Sequence, residues 1–191
     1  MSVRPPFFHN GPIIDMPNNR YSQYANLLSF QKEYDSVLAG GSSAGNVSGM
    51  WLTILTHYFP VAENFAHRPE EYKADMGGYT DITSVKWIPA PTAERAECRP
   101  FLVTQTKSRR YETGTVEWET GRNQLIGYLG ATPIRQRRKY YWGIVAVGKF
   151  VEFYQYEIAR DTMQQVGQRL NVATDAREVQ NILLDIKRRT R

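Results

Sequence analysis

Three short groups of residues in this sequence carry chemistry: Asp81, the triplet Gln105-Thr106-Lys107, and the pair Gln124 and Tyr128. A carboxylate, an amide oxygen and a backbone carbonyl are hard oxygen donors. A divalent ion such as Mg2+ or Mn2+ takes such donors and completes its shell with water. The candidate metal donors are therefore Asp81, Gln105 and the carbonyl of Thr106. An ammonium beside them, Lys107, would hold and polarise an attacking water or neutralise charge on a phosphate. These are the parts of metal-assisted phosphodiester hydrolysis. Each residue also has a plainer reading. Asp81 can be a surface strand residue, and Lys107 a solvated strand end continuous with Arg109 and Arg110. Gln124 and Tyr128 can be one helix face, with Tyr128 in the core. Glu117 and Glu119 suit the positive end of a helix dipole better than a metal.

The elements that must position these groups can be read from periodicity. PFLVTQTK, from Pro100, is an apolar run that turns polar and predicts a strand, and alternation puts Gln105 and Lys107 on one side. YTDITSVKWIP alternates from Tyr79 to Trp87 and predicts a second strand, closed by Pro89 and carrying Asp81. If the two strands pair, carboxylate, amide and ammonium converge at one strand end. VEWETGRNQLIGYLG, from Val116, predicts a helix on which Gln124 and Tyr128 lie four apart and share a face.

Around this centre the chain predicts a loop or arm over residues 1–20 and a helix from Tyr21 to Leu38. A glycine-rich break follows, then a buried helix from Met50 to Tyr58, ended by Pro60. PEEYKADMGG reads as a solvated turn or short helix, and APTAERAECR as a loop. YYWGIVAVGKFVEFYQYEI predicts a hairpin with a type II′ turn at Gly148-Lys149. A short apolar stretch near Leu170 precedes a final helix, with Asp175 at its cap and Val179, Ile182, Leu183 and Ile186 at helical spacing. Strands and helices interleave, so the expected class is α/β, a small mixed sheet flanked by helices in a single domain over residues 21–191.

Composition narrows the partners. The chain has 191 residues with 12 Tyr, 8 Phe and 4 Trp, enough apolar material for one substantial core. Its net charge of +5 permits a polyanion partner without demanding one. Lys107, Arg109 and Arg110, then Arg135, Arg137, Arg138 and Lys139, would form a phosphate-binding surface if they share the face of Asp81. One cysteine, Cys98, excludes an intramolecular disulfide and a cysteine-based zinc site. No apolar run reaches the length of a signal peptide or a membrane span, so the expected location is intracellular, nucleus or cytoplasm, with no membrane partner.

GSSAG at residues 41–45 matches the Gly-x-Ser-x-Gly elbow of serine hydrolases, and YDSVLAGGSSAG looks like a flavin-binding glycine turn. Only His57 and His67 follow the first, and Ser42 stands where the second needs glycine. A loop between two helices is the preferred reading.

Asp81 followed by Gln105-Thr106-Lys107 resembles the signature of the PD-(D/E)XK nuclease superfamily, and Gln124-x-x-x-Tyr128 resembles an element of its RecB-like members. The hairpin and final helix resemble fungal members. That resemblance implies a restriction-endonuclease-like core of helix, three strands, helix and a further strand. It also implies Mg2+ or Mn2+ as cofactor and DNA as substrate, with Gln124, Tyr128, Arg109, Arg110, Arg137 and Arg138 on the substrate. The first-helix acid of many members would be Glu33. Gln105 departs from the usual acid at its position, as in Mrr-like members, and removes one negative charge from the metal site. The same resemblance admits a member without catalysis that binds nucleic acid or a protein partner, or assembles with itself.

Overall fold

The computed structural model describes residues 23–39, 43–73, 78–90, 92, 95–131 and 139–190. The arm over residues 1–20 and the arginines at 135, 137 and 138 lie outside the described residues. A 3-10 turn, Tyr24–Asn26, leads into α1, Leu28–Leu38, and then α2, Ala44–Tyr58. Three strands follow: β1, Phe65–Lys73; β2, Gly78–Ile88; β3, Glu97–Lys107. Helix α3, Val116–Gly130, crosses to β4, Tyr140–Val147, then come β5, Phe150–Glu157, β6, Thr162–Asn171, and α4, Ala176–Thr190. The six strands form one sheet in chain order. Among the described residues only β3 and β4 pair in parallel, and α3 is the helical crossover that a parallel pair requires.

Alternation along the strands builds a core on each face of this sheet. Ile144 and Ala146 point to the side covered by α1, α2 and α4. Val145 and Val147 point to the side covered by α3. Helix α2 buries Val47, Met50, Trp51, Ile54, Leu55 and Tyr58, a stripe with helical period. Helix α3 sits close to β4 because two glycines meet it. A Cβ at Gly121 would lie 2.7 Å from Val145 Cγ1, and one at Gly143 would lie 2.4 Å from Leu125 Cδ2. The turn at Gly148 has φ +55° while Lys149 keeps a negative φ, as the expected type II′ turn demands. Asp175 precedes α4 as expected, and its carboxylate accepts the Asn171 N–H at 2.7 Å, tying that helix to the end of β6.

The α/β class with a mixed sheet and flanking helices is what the structure has. Several boundaries differ from the sequence reading. Helix α1 starts at Leu28 rather than Tyr21, and α2 starts at Ala44 rather than Met50, so the end of the glycine-rich segment is already helix. The first half of the segment read as a turn or short helix, residues 69–73, belongs to β1, and the apolar stretch near Leu170 ends a third strand after the hairpin, β6. Both are edge strands. β6 is largely exposed and polar, TMQQVGQRLN, so the apolar alternation that marks inner strands is missing. Among the described residues no helix is long and apolar enough to cross a membrane.

Candidate active site at the open end of the β2–β3 seam

The antiparallel pairing of β2 and β3 runs up to Ile82 opposite Thr104 and stops there. One step further on, the register puts Asp81 opposite Gln105. Beyond the last pair the strands no longer exchange backbone hydrogen bonds, and a side chain takes over. The Thr106 N–H donates to Asp81 Oδ2 at 2.6 Å. In a strand the N–H and C=O of one residue point to the same edge, so the Thr106 carbonyl faces this seam as well.

Gln105 is 1% exposed, and its side-chain nitrogen has no hydrogen-bond partner. Lys107, next but one on the same face, donates from Nζ to Gln124 Oε1 of α3 at 2.7 Å. Tyr128, one turn along α3, is raised above the usual phenol range, first by burial and then by the negative charge of Asp81. Asp81 is itself raised above the usual carboxylate range. Burial is the main cause; the Thr106 N–H, the charge of Lys107 and the Thr106 side chain oppose it, and the charge of Glu70 adds to it. The structure thus brings Asp81, Gln105, Thr106, Lys107, Gln124 and Tyr128 to one place.

A cavity of about 700 Å³ opens over this end of β3. Its walls include Asp81, Lys107, Arg109 and Arg110, with Ser43 and Ala44 from the start of α2. Ser43 is the N-cap of α2, and its hydroxyl makes no capping bond. The positive end of this helix borders the cavity, where three cationic side chains stand against one acid. Arg109 donates to the carbonyl of Leu38, the last residue of α1, and lies 3.9 Å from Glu112. Arg110 stacks over Tyr111 at 4.5 Å. On the opposite face of β3, Thr106 Oγ1 lies 2.7 Å from Ser48 Oγ, which locks α2 to the strand behind the site. Sequence reading missed Ala44 and Ser48, and weighed Ser43 only as the serine of the GSSAG motif. The signal was a serine ahead of a helical stripe, obscured by the surrounding glycines.

Two expectations part from the geometry. Glu33 rests against α2, its Oε2 3.0 Å from where a Cβ on Gly49 would sit, and it is not among the cavity walls. Lys139 stands just ahead of β4, whereas the site lies at the far end of that strand, where Lys107 pairs Val147. Eight residues of strand separate the two, roughly 25 Å. Among the described residues no group of three or more His, Cys, Asp or Glu side chains could hold a metal ion. The candidate donors are the Asp81 carboxylate and the Thr106 carbonyl, both of residues in the cavity wall, and the amide of Gln105, which is buried and not among the walls. That set fits Mg2+, which keeps several waters and takes further oxygens from substrate phosphates, better than an ion that wants a full protein cage.

The glycine-rich segment supports neither hydrolase nor flavin chemistry. It follows a helix, α1, where both motifs need a strand. His57 lies at the other end of α2 from Ser43, about 20 Å along the axis. His67 is held in β1, its Nδ1 2.8 Å from Ser84 Oγ and its Nε2 3.1 Å from the Phe59 carbonyl. No protein-family model, curated protein or solved structure matches this chain.

Proposed function

We propose that this chain is a metal-dependent nuclease that hydrolyses DNA phosphodiesters, built on a restriction-endonuclease-like core. The observation that carries the reading is the open β2–β3 seam, where Asp81 replaces the missing ladder bond to Thr106 and Lys107 is steadied by Gln124. The order of elements supports it too: helix, three strands, crossover helix and parallel strand. A bound Mg2+ or Mn2+ would supply Lewis acidity to the scissile phosphate and lower the pKa of a water. The protein's own groups do the rest. Asp81, Gln105 and the Thr106 carbonyl would hold the ion. Gln124 fixes the Lys107 ammonium at the cavity wall, where it can orient the water or meet the phosphate. Arg110 and the start of α2 would receive neighbouring phosphates. Tyr128, in the core under α3, lies within reach of the charge of Asp81.

A second reading has its own observation. Gln105 lacks the charge of an acid, and Lys107 is already engaged by Gln124. A protein of this fold without catalysis would use the basic cavity to bind nucleic acid, a protein partner or a second copy of itself. Magnesium and manganese titrated into the protein with labelled single- and double-stranded DNA separate the two. Metal-dependent cleavage that disappears in both Asp81→Ala and Lys107→Ala is the result expected of the nuclease. Binding without cleavage, unchanged by either substitution, would replace it with the second reading.

A further inference from the structure

β3 ends at Lys107, and a 3-10 turn, Arg109–Tyr111, follows it behind Ser108. The turn carries the chain along the cavity, so that Lys107, Arg109, Arg110 and Tyr111 are all among the walls. The four residues of chain from Lys107 to Tyr111 span at most about 14 Å. A phosphate that meets Lys107 therefore brings its own neighbourhood to Tyr111.

The two arginines of this turn are used differently. Arg109 is held by the fold, donating to the Leu38 carbonyl and lying 3.9 Å from Glu112. Arg110 is exposed and lies over the Tyr111 ring, 4.5 Å from its centroid. Tyr111 is half-buried and backed by the α3-side core. A ring steadied by the core, with a planar guanidinium laid on it, makes a flat cationic surface, and both partners face the same cavity.

Nucleic-acid bases take such surfaces. Unpaired bases stack on aromatic rings and on guanidinium planes, largely whatever their sequence. Bases inside a duplex do not, because neighbouring bases cover their faces and only their edges reach the grooves. The cavity, about 700 Å³, has the size of a small-molecule pocket and suits one splayed base with its sugar and phosphate.

We propose that Arg110 and Tyr111 form a base-stacking subsite beside Lys107, so that the DNA enters as a single strand with an unpaired base next to the phosphate. The inference rests on the nucleic-acid reading of this cavity given above and adds to it the part of the substrate that is not phosphate.

The test is fluorescence-anisotropy binding of the full chain in EDTA, so that cleavage does not enter. The oligonucleotides are a labelled single strand, its duplex, and an abasic strand of the same length, which keeps the phosphates and lacks the bases. Thermal melts check that each variant folds. The single strand should bind more tightly than its duplex, and about 5–100-fold more tightly than the abasic strand, the range for losing one stacked base. Tyr111→Ala should lose about the same factor on the normal strand and nothing on the abasic one, and Tyr111→Phe should restore it. Arg110→Lys keeps the charge and removes the plane, so it too should weaken only the normal strand. That residue is exposed, so this variant carries the test if Tyr111→Ala does not fold. If the three oligonucleotides bind alike, or if each substitution weakens the normal and abasic strands equally, the subsite is overturned. Metal-dependent cleavage lost in Lys107→Ala would then leave the nuclease reading standing. If stacking is seen and no metal gives cleavage, the subsite stands and the nuclease reading falls.

Discussion

Two carboxylates on the α3 side of the sheet, in one cross-strand row, are treated in opposite ways. Gln105 pairs with Val145 across β3 and β4, and Val145 pairs with Glu152 across β4 and β5. Asp81 at one end of this row and Glu152 near the other are three strands apart, about 14 Å. Glu152 is 3% exposed and saturated. Arg122 reaches its Oε2 at 3.2 Å, Arg169 its Oε1 at 2.8 Å, and the Tyr154 hydroxyl donates to it as well. Arg169 also stacks over Trp118 at 3.7 Å. Asp81 is served by one residue, the N–H of Thr106 on Oδ2 together with the Thr106 side chain, while the Lys107 ammonium donates to Gln124. A buried carboxylate that serves the fold is surrounded by donors. One kept short of donors is costly to the fold, and in this site it faces a cavity rich in positive charge.

Helix α3 enforces the difference. Gly121 packs on Val145 at the middle of the row. One residue on, Arg122 turns toward Glu152; a turn along, Gln124 and Tyr128 turn toward Asp81 and Lys107. The same helix closes one site and leaves the other open.

The comparison breaks most sharply on activity. Asp81→Asn or Lys107→Ala should lower metal-dependent cleavage by about 10²–10⁴-fold, the usual scale for removing a group that activates a nucleophile. Asp81→Asn should also raise the melting temperature, because it removes a charge that burial disfavours. A single-turnover assay and a thermal melt on the same preparation check both. Glu152→Ala should do the reverse. Breaking a buried ion pair costs about 3–5 kcal/mol, and the partial exposure of both arginines puts this case near the lower end, or on the order of 10 °C in melting temperature for a chain of this size. Cleavage by the fraction that stays folded should be unchanged.

Smaller effects sharpen the account. Gln124→Ala frees the Lys107 ammonium, and cleavage should fall by about tenfold, as expected of a group that only orients another. A pH series separates fold from site. The neutral imidazole of His67 is held below its ordinary range, chiefly by burial. Its unfolded form therefore gains a proton first as pH falls. The stability this residue contributes is intact above the ordinary histidine range and is lost as pH drops through the folded value. Melts between pH 8 and pH 5 should show acid destabilisation that is reduced in His67→Gln.

How much of this was legible in the sequence depended on whether a segment was buried. β2, β3, α3 and the β4–β5 hairpin lie in or against the sheet interior, and their apolar periods located them. Asp81 and Gln105-Thr106-Lys107 were found because they sit at the polar ends of such strands. β1 and β6 are edges, where charged and polar residues hide the alternation, so Glu70 was read as part of a solvated turn. Ala44 was passed over, and Ser43 weighed only as a motif serine, because glycines at 40, 41 and 45 look like a loop, although α2 absorbs Gly45 and Gly49. Glu33 was chosen from its place on the first helix, which gives no information on the direction it packs.

The central claim is that Asp81 is held short of partners so that a cation can complete its surroundings. A carboxyl-carbon NMR titration tests it most directly, with and without Mg2+ and a short DNA duplex. The account expects Asp81 to titrate above the ordinary carboxylate range in the free protein and to shift down when ion and duplex are added, with the Glu152 signal unmoved. An Asp81 that titrates at or below the ordinary range and ignores both additions would contradict it.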